Sequence, residues 1–504
     1  MMRFVAADAI HPPLFYALLR VWTRLGGESL LWLRLFPVAF AVAGIVPFVL
    51  LARGLRLSFG ETNVALLVLA ANGYLIKYSQ EVRMYAPLFA LGTTSLWLFV
   101  RYLNTPHADV RATDDDGARV DKGATRRSLA ALVALFVANL LLVYTHYYGW
   151  LVVAAQLFFL LLSRRRRRLF APFAASLAAL AACFAPWVYA VARATAAESQ
   201  GVRQNLGWIA RPSPGDLLGF LTQLGDPFYF RQSNVEPLHT RFGFAAVLLL
   251  LVLPVAALVV RQLRRGGGDD VDETSAVPAS KGVGEGERWA LLFCFLLVPV
   301  ALAFALSWLL PLSVWGTRHL VTVAAPYALL AGAGAWRLRP VLLSRVLVAA
   351  IVCWFALVGA VVSARREGPF IWCAWEGLAA RAALAESPGP VEVYAFEDLV
   401  AYHLWFASAR RNGNVRVAVV KNVAGLRDDP AYFLPRAFRG VRVTDAEALA
   451  GEEFFVAFRD AAWRESRPPL KILLERGYSV EQVHEEAAQG QRAFLARVRR
   501  GLKQ

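Results

Sequence analysis

The sequence predicts a polytopic α-helical membrane protein with a C-terminal extracytoplasmic α/β domain, and three observations predict it. The first is composition: 58% of the 504 residues are hydrophobic, 18% are charged, and mean hydropathy is +0.46. Soluble domains run near ~45–50% apolar and ~25% charged. One or two cores cannot bury that much apolar surface unless lipid covers part of it. The second is the recurrence of apolar runs of spanning length, separated by basic clusters. The third is a change of periodicity after Val362, where short β-type runs alternate with short helical ones. Disorder, collagen and coiled coil are excluded by the same composition. Cys183, Cys294, Cys353 and Cys373 form no close pair, so neither a disulfide scaffold nor a thiolate metal site is indicated.

Ten segments reach the roughly 17–25 residues a span requires. They lie near 35–52, 61–77, 84–101, 128–144, 147–163, 170–192, 241–260, 290–310, 319–336 and 341–362. The net charge of +17 rests on 48 Arg against 6 Lys, and much of it sits between these segments. Arg53 and Arg56, then Arg101, Arg126 and Arg127, Arg164 to Arg168, Arg261, Arg264 and Arg265, and Arg337 and Arg339 mark every second connection. Such clusters hold loops in the cytoplasm, which makes a nucleic-acid partner the poorer reading of the charge. The other side receives Tyr78 to Arg83, Thr145 to Tyr148, the 193–240 loop, Pro311 to Arg318 and everything after Val362. Residues 1–362 thus form a membrane domain of about ten spans, and 363–504 an outer domain. An outward C-terminus after ten spans requires an outward N-terminus. Met1 to Ile10 lacks the apolar core of a signal peptide, so parity predicts a further span ahead of Met1. Residues 12–25 read as a short amphipathic helix along the outer interface.

Residues 104–125 and 262–288 read as solvated cytoplasmic loops. In the 193–240 loop, Ser213 stands ahead of a helix over Pro214 to Leu221. In the outer domain, Val391 to Phe396, Val415 to Val420, Phe454 to Phe458 and Ala493 to Val498 read as strands. Leu399 to Ala407 and Leu470 to Arg476 read as helices, the latter ending at Gly477. No phosphate-loop or dinucleotide-binding pattern occurs there, so the domain reads as non-catalytic.

Four clusters fall on the outer side, and their convergence matters more than any one residue. His11-Pro12-Pro13 follows Asp8; the prolines can start a helix rigidly. Tyr78 to Tyr85 carries Glu81, Arg83 and Tyr85, with Lys77 just before it. Ionisable groups near hydrocarbon are costly and usually have a function or a partner. Arg83 or Lys77 can hold a phosphate, since the Arg fork suits one, and Glu81 can hold a metal or a sugar hydroxyl; Glu81 and Arg83 can equally pair with each other. Tyr144 to Gly149 offers His146 and Tyr147 as a saccharide-facing surface or as part of an aromatic belt. Trp315 to His319 puts Arg318 and His319 at the mouth of a span, for a phosphate or for snorkelling.

The blocks His11-Pro12-Pro13-Leu14-Phe15-Tyr16, Leu33-Arg34-Leu35-Phe36-Pro37 and Tyr78-Ser79-Gln80-Glu81-Val82-Arg83-Met84-Tyr85 resemble those of the bacterial polytopic glycosyltransferases related to protein O-mannosyltransferases and to lipid A aminoarabinose transferases. The Tyr144 to Gly149 run and Arg318-His319 look like the same group. The resemblance spans roughly residues 8–362. It implies a GT-C-like fold and an enzyme using a polyprenyl-phosphate sugar donor on the outer face, with a glycan, lipid or protein acceptor. It implies an acidic motif after the first span; the chain starts too late for that motif, and Asp8 is the nearest carboxylate. On this reading Asp8 and Glu81 are catalytic. His11, Lys77, Arg83, Tyr85, His146, Tyr147, Arg318 and His319 bind substrate. The resemblance fixes no cofactor; a divalent metal is left open, with Glu81 as its candidate ligand. Two other classes compete: a lipid or sugar transporter, which would place ionisable residues at mid-membrane in broken spans, and a non-catalytic polyprenyl-lipid-binding protein.

Overall fold

The computed structural model describes residues 11–106, 122–197, 209–227, 243–266, 283–364, 375–385, 390–409, 414–423, 438–449, 451–459, 463, 465, 468–487 and 492–501. The chain divides into two compact units. One comprises Ala9–Arg193 and Ile209–Arg365; the other comprises Met1–Asp8, Ala194–Trp208 and Arg366–Gln504. Asp8 lies outside the described residues.

The first unit is helical. A helix, α1 (Leu14–Gly26), begins directly after Pro13, where proline's missing N–H costs nothing. Trp22 and Trp32 stack at 4.4 Å, and each indole donates to the other's carbonyl, which folds α1 back on α2 (Leu30–Ala43). Helix α3 (Ile45–Gly54) continues that direction, so that Leu30–Gly54 is one span. Next come α4 (Phe59–Ala70) and α5 (Gly73–Ser79), bent by 55° at the break. Asn72 produces the break by capping α5: its side chain accepts from the Leu75 N–H at 2.8 Å. The remaining helices are α6 (Tyr85–Asn104), α7 (Lys122–Thr145), α8 (Gly149–Leu162), α9 (Phe170–Ala197), α10 (Pro214–Gln223), α11 (Leu253–Gly266), α12 (Glu285–Leu309), α13 (Ala324–Arg337) and α14 (Val341–Ala364).

Helices occupy the described residues of all ten predicted spans, the second as the bent pair α4–α5, and the chain is a multi-pass membrane protein. Among the described residues, seven helical stretches are long and apolar enough to cross a bilayer, or eight if the bent pair counts as one. The two that differ do so for physical reasons. Helix α8 has 14 residues, about 21 Å at 1.5 Å per residue. Helix α6 carries Thr93, Thr94, Ser95 and an Arg, and most of its surface faces other helices rather than lipid. The predicted hairpin around His146 forms as a three-residue turn between α7 and α8. Beyond the turn the helices diverge: α7 runs along α6, and α8 along α12. A buried triad ties them: Ser95 donates to Asn139 at 2.6 Å, Asn139 to Gln156 at 2.8 Å, and Gln156 to Ser95 at 2.7 Å.

Helix α13 occupies the middle of this unit. All its residues from Ala324 to Ala335 are buried. Its Ala/Gly-rich sequence explains this, because small side chains let backbones approach. A Cβ on Gly332 would lie 2.5 Å from the Ala65 backbone nitrogen of α4.

The second unit contains, among the described residues, no helix of spanning length. Its elements are α15 (Glu376–Ala383), β1 (Val391–Ala395), α16 (Asp398–Ala409), β2 (Val415–Lys421), β3 (Arg442–Asp445), β4 (Glu453–Arg459), α17 (Pro468–Glu475), β5 (Tyr478–Ala487) and β6 (Arg492–Arg500). The strands form one sheet in the order β3-β2-β1-β4-β6-β5. The first four are mutually parallel, and β6 runs antiparallel to β4 and β5. Side-chain alternation gives each face its own core. Phe455 and Ala457 pack with α15 and α16, while Phe454, Val456 and Phe458 pack with Leu473 of α17. The carboxyl ends of parallel strands are where open α/β sheets usually hold ligands. Here ion pairs occupy that edge: Lys421 with Asp398 at 2.8 Å, and Arg459 with Glu397.

Candidate functional site

Three chain breaks converge at one end of the helical unit: the segment before α1, the α7–α8 turn, and the 3₁₀ helix Thr317–Val323 that leads into α13. Each delivers one histidine. The His146 and His319 rings stack at 4.4 Å with a 19° interplanar angle, and His11 follows at 5.5 Å from His146. Local backbone fixes these positions. The His319 N–H donates to the Gly316 carbonyl at 2.9 Å, and the His146 Nδ1 accepts from the Tyr148 N–H at 3.1 Å.

Tyrosines form the wall. Tyr148 lies 5.0 Å from His319, and Tyr85 lies 5.5 Å from it on another side. Tyr78 and Tyr74 extend the row at 5.1 and 4.9 Å. Two of these hydroxyls pin the 311–317 segment: Tyr148 donates to Val314 O and accepts from Gly316 N, and Tyr74 donates to Thr317 O. Tyr147 was expected to face substrate, but its hydroxyl accepts from the Trp187 indole of α9 at 3.0 Å. Tyr148, which the sequence reading did not single out, is the tyrosine of this turn that lies beside His319. Nothing in the run Tyr144 to Gly149 fixes the rotation of a three-residue turn.

The charges gather in the turn from α5 to α6 and at Arg318. Glu81 is half-buried, and its carboxylate makes no hydrogen bond or ion pair among the described residues. Arg83 is exposed and likewise makes no ion pair among them, although the two residues are joined by a 2.6 Å backbone hydrogen bond from Arg83 N to Glu81 O. Burial raises the Glu81 pKa, while Arg318, Arg83 and Lys77 pull it down. Lys77 also stands over the Tyr78 ring at 5.9 Å. Burial, with Arg83 and Arg318 adding to it, pushes His11 down to about 4. Burial lowers His146 too, reinforced by His11 and Arg318, and it pushes Tyr148 up to about 12. His11 and His146 are therefore neutral imidazoles beside guanidinium charge.

His11 Nδ1 and His319 Nδ1 are buried nitrogens with no hydrogen-bond partner among the described residues. Buried polar atoms are nearly always paired, so two orphan nitrogens in one cluster mark a place for a polar ligand. Glu81 sits in the field of three cations, which favours an anion there over a divalent metal. Among the described residues, no group of three or more His, Cys, Asp or Glu side chains is placed to hold a metal. The site as a whole suits a ligand with a phosphate for Arg83 and Arg318, hydroxyls for the imidazoles, and ring faces for the tyrosines.

No protein-family model matches the chain, and no curated protein matches it. Among solved structures, the chain is similar to ArnT from Cupriavidus metallidurans in the apo state, at 14% identity and a TM-score of 0.41. It is also similar to the same protein bound to undecaprenyl phosphate, at 15% identity and a TM-score of 0.40. Each comparison covers 96% of this chain and 87% of the other. Similarity of that degree does not by itself place the chain in a family.

Proposed function

We propose that the chain is a glycosyltransferase that moves a sugar from a polyprenyl-phosphate donor to an acceptor hydroxyl or amine at the outer face of the membrane. The observation that carries this reading is the convergence of Arg83, Arg318, Glu81 and the His11–His146–His319 column at one end of a membrane-spanning unit. The motif blocks that hold these residues, and their resemblance to polyprenyl-phosphate-dependent transferases, supply the donor class.

In the proposed reaction the acceptor oxygen or nitrogen attacks the anomeric carbon. The bond to the polyprenyl phosphate breaks and its electrons leave on the phosphate oxygen, while the acceptor proton passes to a carboxylate. Asp8 and Glu81 are the candidates for that base, a role worth ~10²–10⁴-fold. Burial raises Glu81 toward the pH range in which a base both accepts and releases protons. Arg83 and Arg318 stabilise the departing phosphate, and Lys77 adds to the same field. His11, His146 and His319 orient sugar hydroxyls, and Tyr85 and Tyr148 shape the walls. One displacement inverts the anomeric configuration, and no step is routed through a metal. In this reading residues 1–362 form the membrane transferase domain, and 363–504 an extracytoplasmic domain without catalytic residues.

The test uses the full chain in nanodiscs with polyprenyl phosphate and polyprenyl-phosphate sugars. Binding of polyprenyl phosphate that is weakened by the pair Arg83→Ala and Arg318→Ala is expected, together with release of polyprenyl phosphate from a sugar-loaded donor. Absence of binding, or binding indifferent to both arginines, would overturn the reading.

A further inference from the structure

At the opposite end of α13 the helical unit has an open polar cavity, of about 620 Å³. His319 and Arg337 lie near the two ends of one helical stretch that is kinked at Leu320. With 3₁₀ and α-helical rises of about 2.0 and 1.5 Å, they stand at most about 29 Å apart along it. Five elements contribute: Ser58 and Glu61 at the start of α4, Arg261 of α11, Glu285 and Arg288 at the start of α12, Trp336 and Arg337 at the end of α13, and Arg339 to Arg345 leading into α14.

Among the described residues the charges do not cancel. Arg337 pairs with Glu61 and Glu285, and Arg288 pairs with Glu285 at 3.0 Å while donating to the carbonyls of Leu55 and Arg56. Both carboxylates are thereby committed. Arg261 donates to the Arg337 carbonyl at 3.1 Å, and it has no carboxylate within ion-pair distance among the described residues. Arg339 and Arg345 are exposed and have no ion pair among them either. Among the described residues, three guanidinium charges around one cavity thus lack a counter-charge. Arg288 adds a buried Nε with no hydrogen-bond partner among the described residues. A solvated basic face would be convex and would hold no buried orphan donor.

The cavity also has apolar side chains at its edge: Trp336 and Val341 line it and are each 44% exposed, and Leu342 and Leu343 follow Val341 in the chain at 71% and 47% exposed. They belong to the end of one spanning helix and the start of the next, where lipid meets the protein. A soluble anion would use the arginines but not these side chains. An amphiphile uses both.

We infer that this cavity is a binding site for the phosphate headgroup of an anionic membrane phospholipid, with its acyl chains on the Trp336–Leu343 rim. Basic pockets between spanning helices are suited to such headgroups. The inference is independent of the proposed transferase site, since it shares none of that site's residues.

The test is native mass spectrometry and thermal unfolding of the full chain in detergent. Phosphatidylglycerol, phosphatidylcholine and inorganic phosphate are added separately to wild type and to the double variant Arg339→Ala, Arg345→Ala. Both arginines are exposed, so the variant should fold as wild type does. Phosphatidylglycerol should bind wild type and raise its unfolding temperature, and phosphatidylcholine should do neither. The double variant should bind phosphatidylglycerol about thirtyfold more weakly, at roughly a factor of five per surface arginine. The variant Arg339→Lys, Arg345→Lys should recover most of the loss. Equal binding of the two lipids, no effect of the alanine variant, or stabilisation by inorganic phosphate equal to that by the lipid would each overturn the inference.

Discussion

Arg83→Ala separates the phosphate-binding role of Arg83 from a purely structural one. Arg83 is exposed and makes no ion pair among the described residues, so its loss should change folding stability by no more than about 0.5 kcal/mol. Its charge acts on His11 and Glu81, as does that of Arg318. A charge-assisted hydrogen bond to a phosphate is worth ~1.5–3 kcal/mol. At 1.36 kcal/mol per decade, affinity for polyprenyl phosphate should fall about 10- to 150-fold. Arg83→Lys should fall between wild type and alanine, because it keeps the charge and loses the two-pronged geometry. If Arg83 instead served to neutralise Glu81, alanine would leave a half-buried carboxylate uncompensated. Stability would then fall by up to ~3–5 kcal/mol, and adding Glu81→Ala would restore it. The assay is a titration of polyprenyl phosphate against nanodisc-embedded protein, with unfolding followed by intrinsic tryptophan fluorescence in parallel. Wild-type affinity in Arg83→Ala would end the phosphate role. Loss of stability rescued by the double variant would replace it with the ion pair.

Other predictions concern pH, packing and the polar core. The folded pKa of His11, about 4, lies below its ordinary value of 6.5, so its contribution to stability is intact above pH 6.5 and is lost as pH falls toward 4. The unfolding temperature of wild type should therefore drop more steeply than that of His11→Gln between those values, and parallel curves would count against a buried neutral imidazole. Gly332→Val should destabilise by about 1–3 kcal/mol, because its side chain has no room against Ala65; an unchanged unfolding temperature would show that α4 and α13 can separate at little cost. Gln156→Leu should cost about 0.6–1.7 kcal/mol through loss of the triad with Ser95 and Asn139, while Asn139→Leu in the same background should add less than it does alone.

The spans were legible because lipid demands long apolar stretches with satisfied backbones, which few other environments do. The second unit was legible only where its strands are central. Strands β1, β2, β4 and β6 are buried apolar runs. The sequences Arg442–Asp445 and Tyr478–Ala487 lie at the sheet edges, and their half-exposed, polar side chains carry no such signal. At the candidate site, the four segment ends announced themselves by polar residues beside hydrocarbon. The stacking of three histidines from positions 11, 146 and 319 did not, because it depends on how distant helices pack. The arginines at 261, 337 and 339 were read as topology signals, and sequence spacing alone could not show that they share a cavity.

The sheathed helix α13, with its 3₁₀ lead-in, fixes a length as well as a position. Its polar ends, His319 and Arg337, stand at most about 29 Å apart across the kink at Leu320, within the ~30 Å of a bilayer's hydrocarbon core. A lipid-facing helix can tilt to meet a thicker or thinner membrane. This one is held on all sides by its neighbours and cannot tilt alone. The bilayer must therefore adapt to the protein at this point. Lipids around the unit will be drawn to its thickness, and membranes of very different thickness will load the outer helices first.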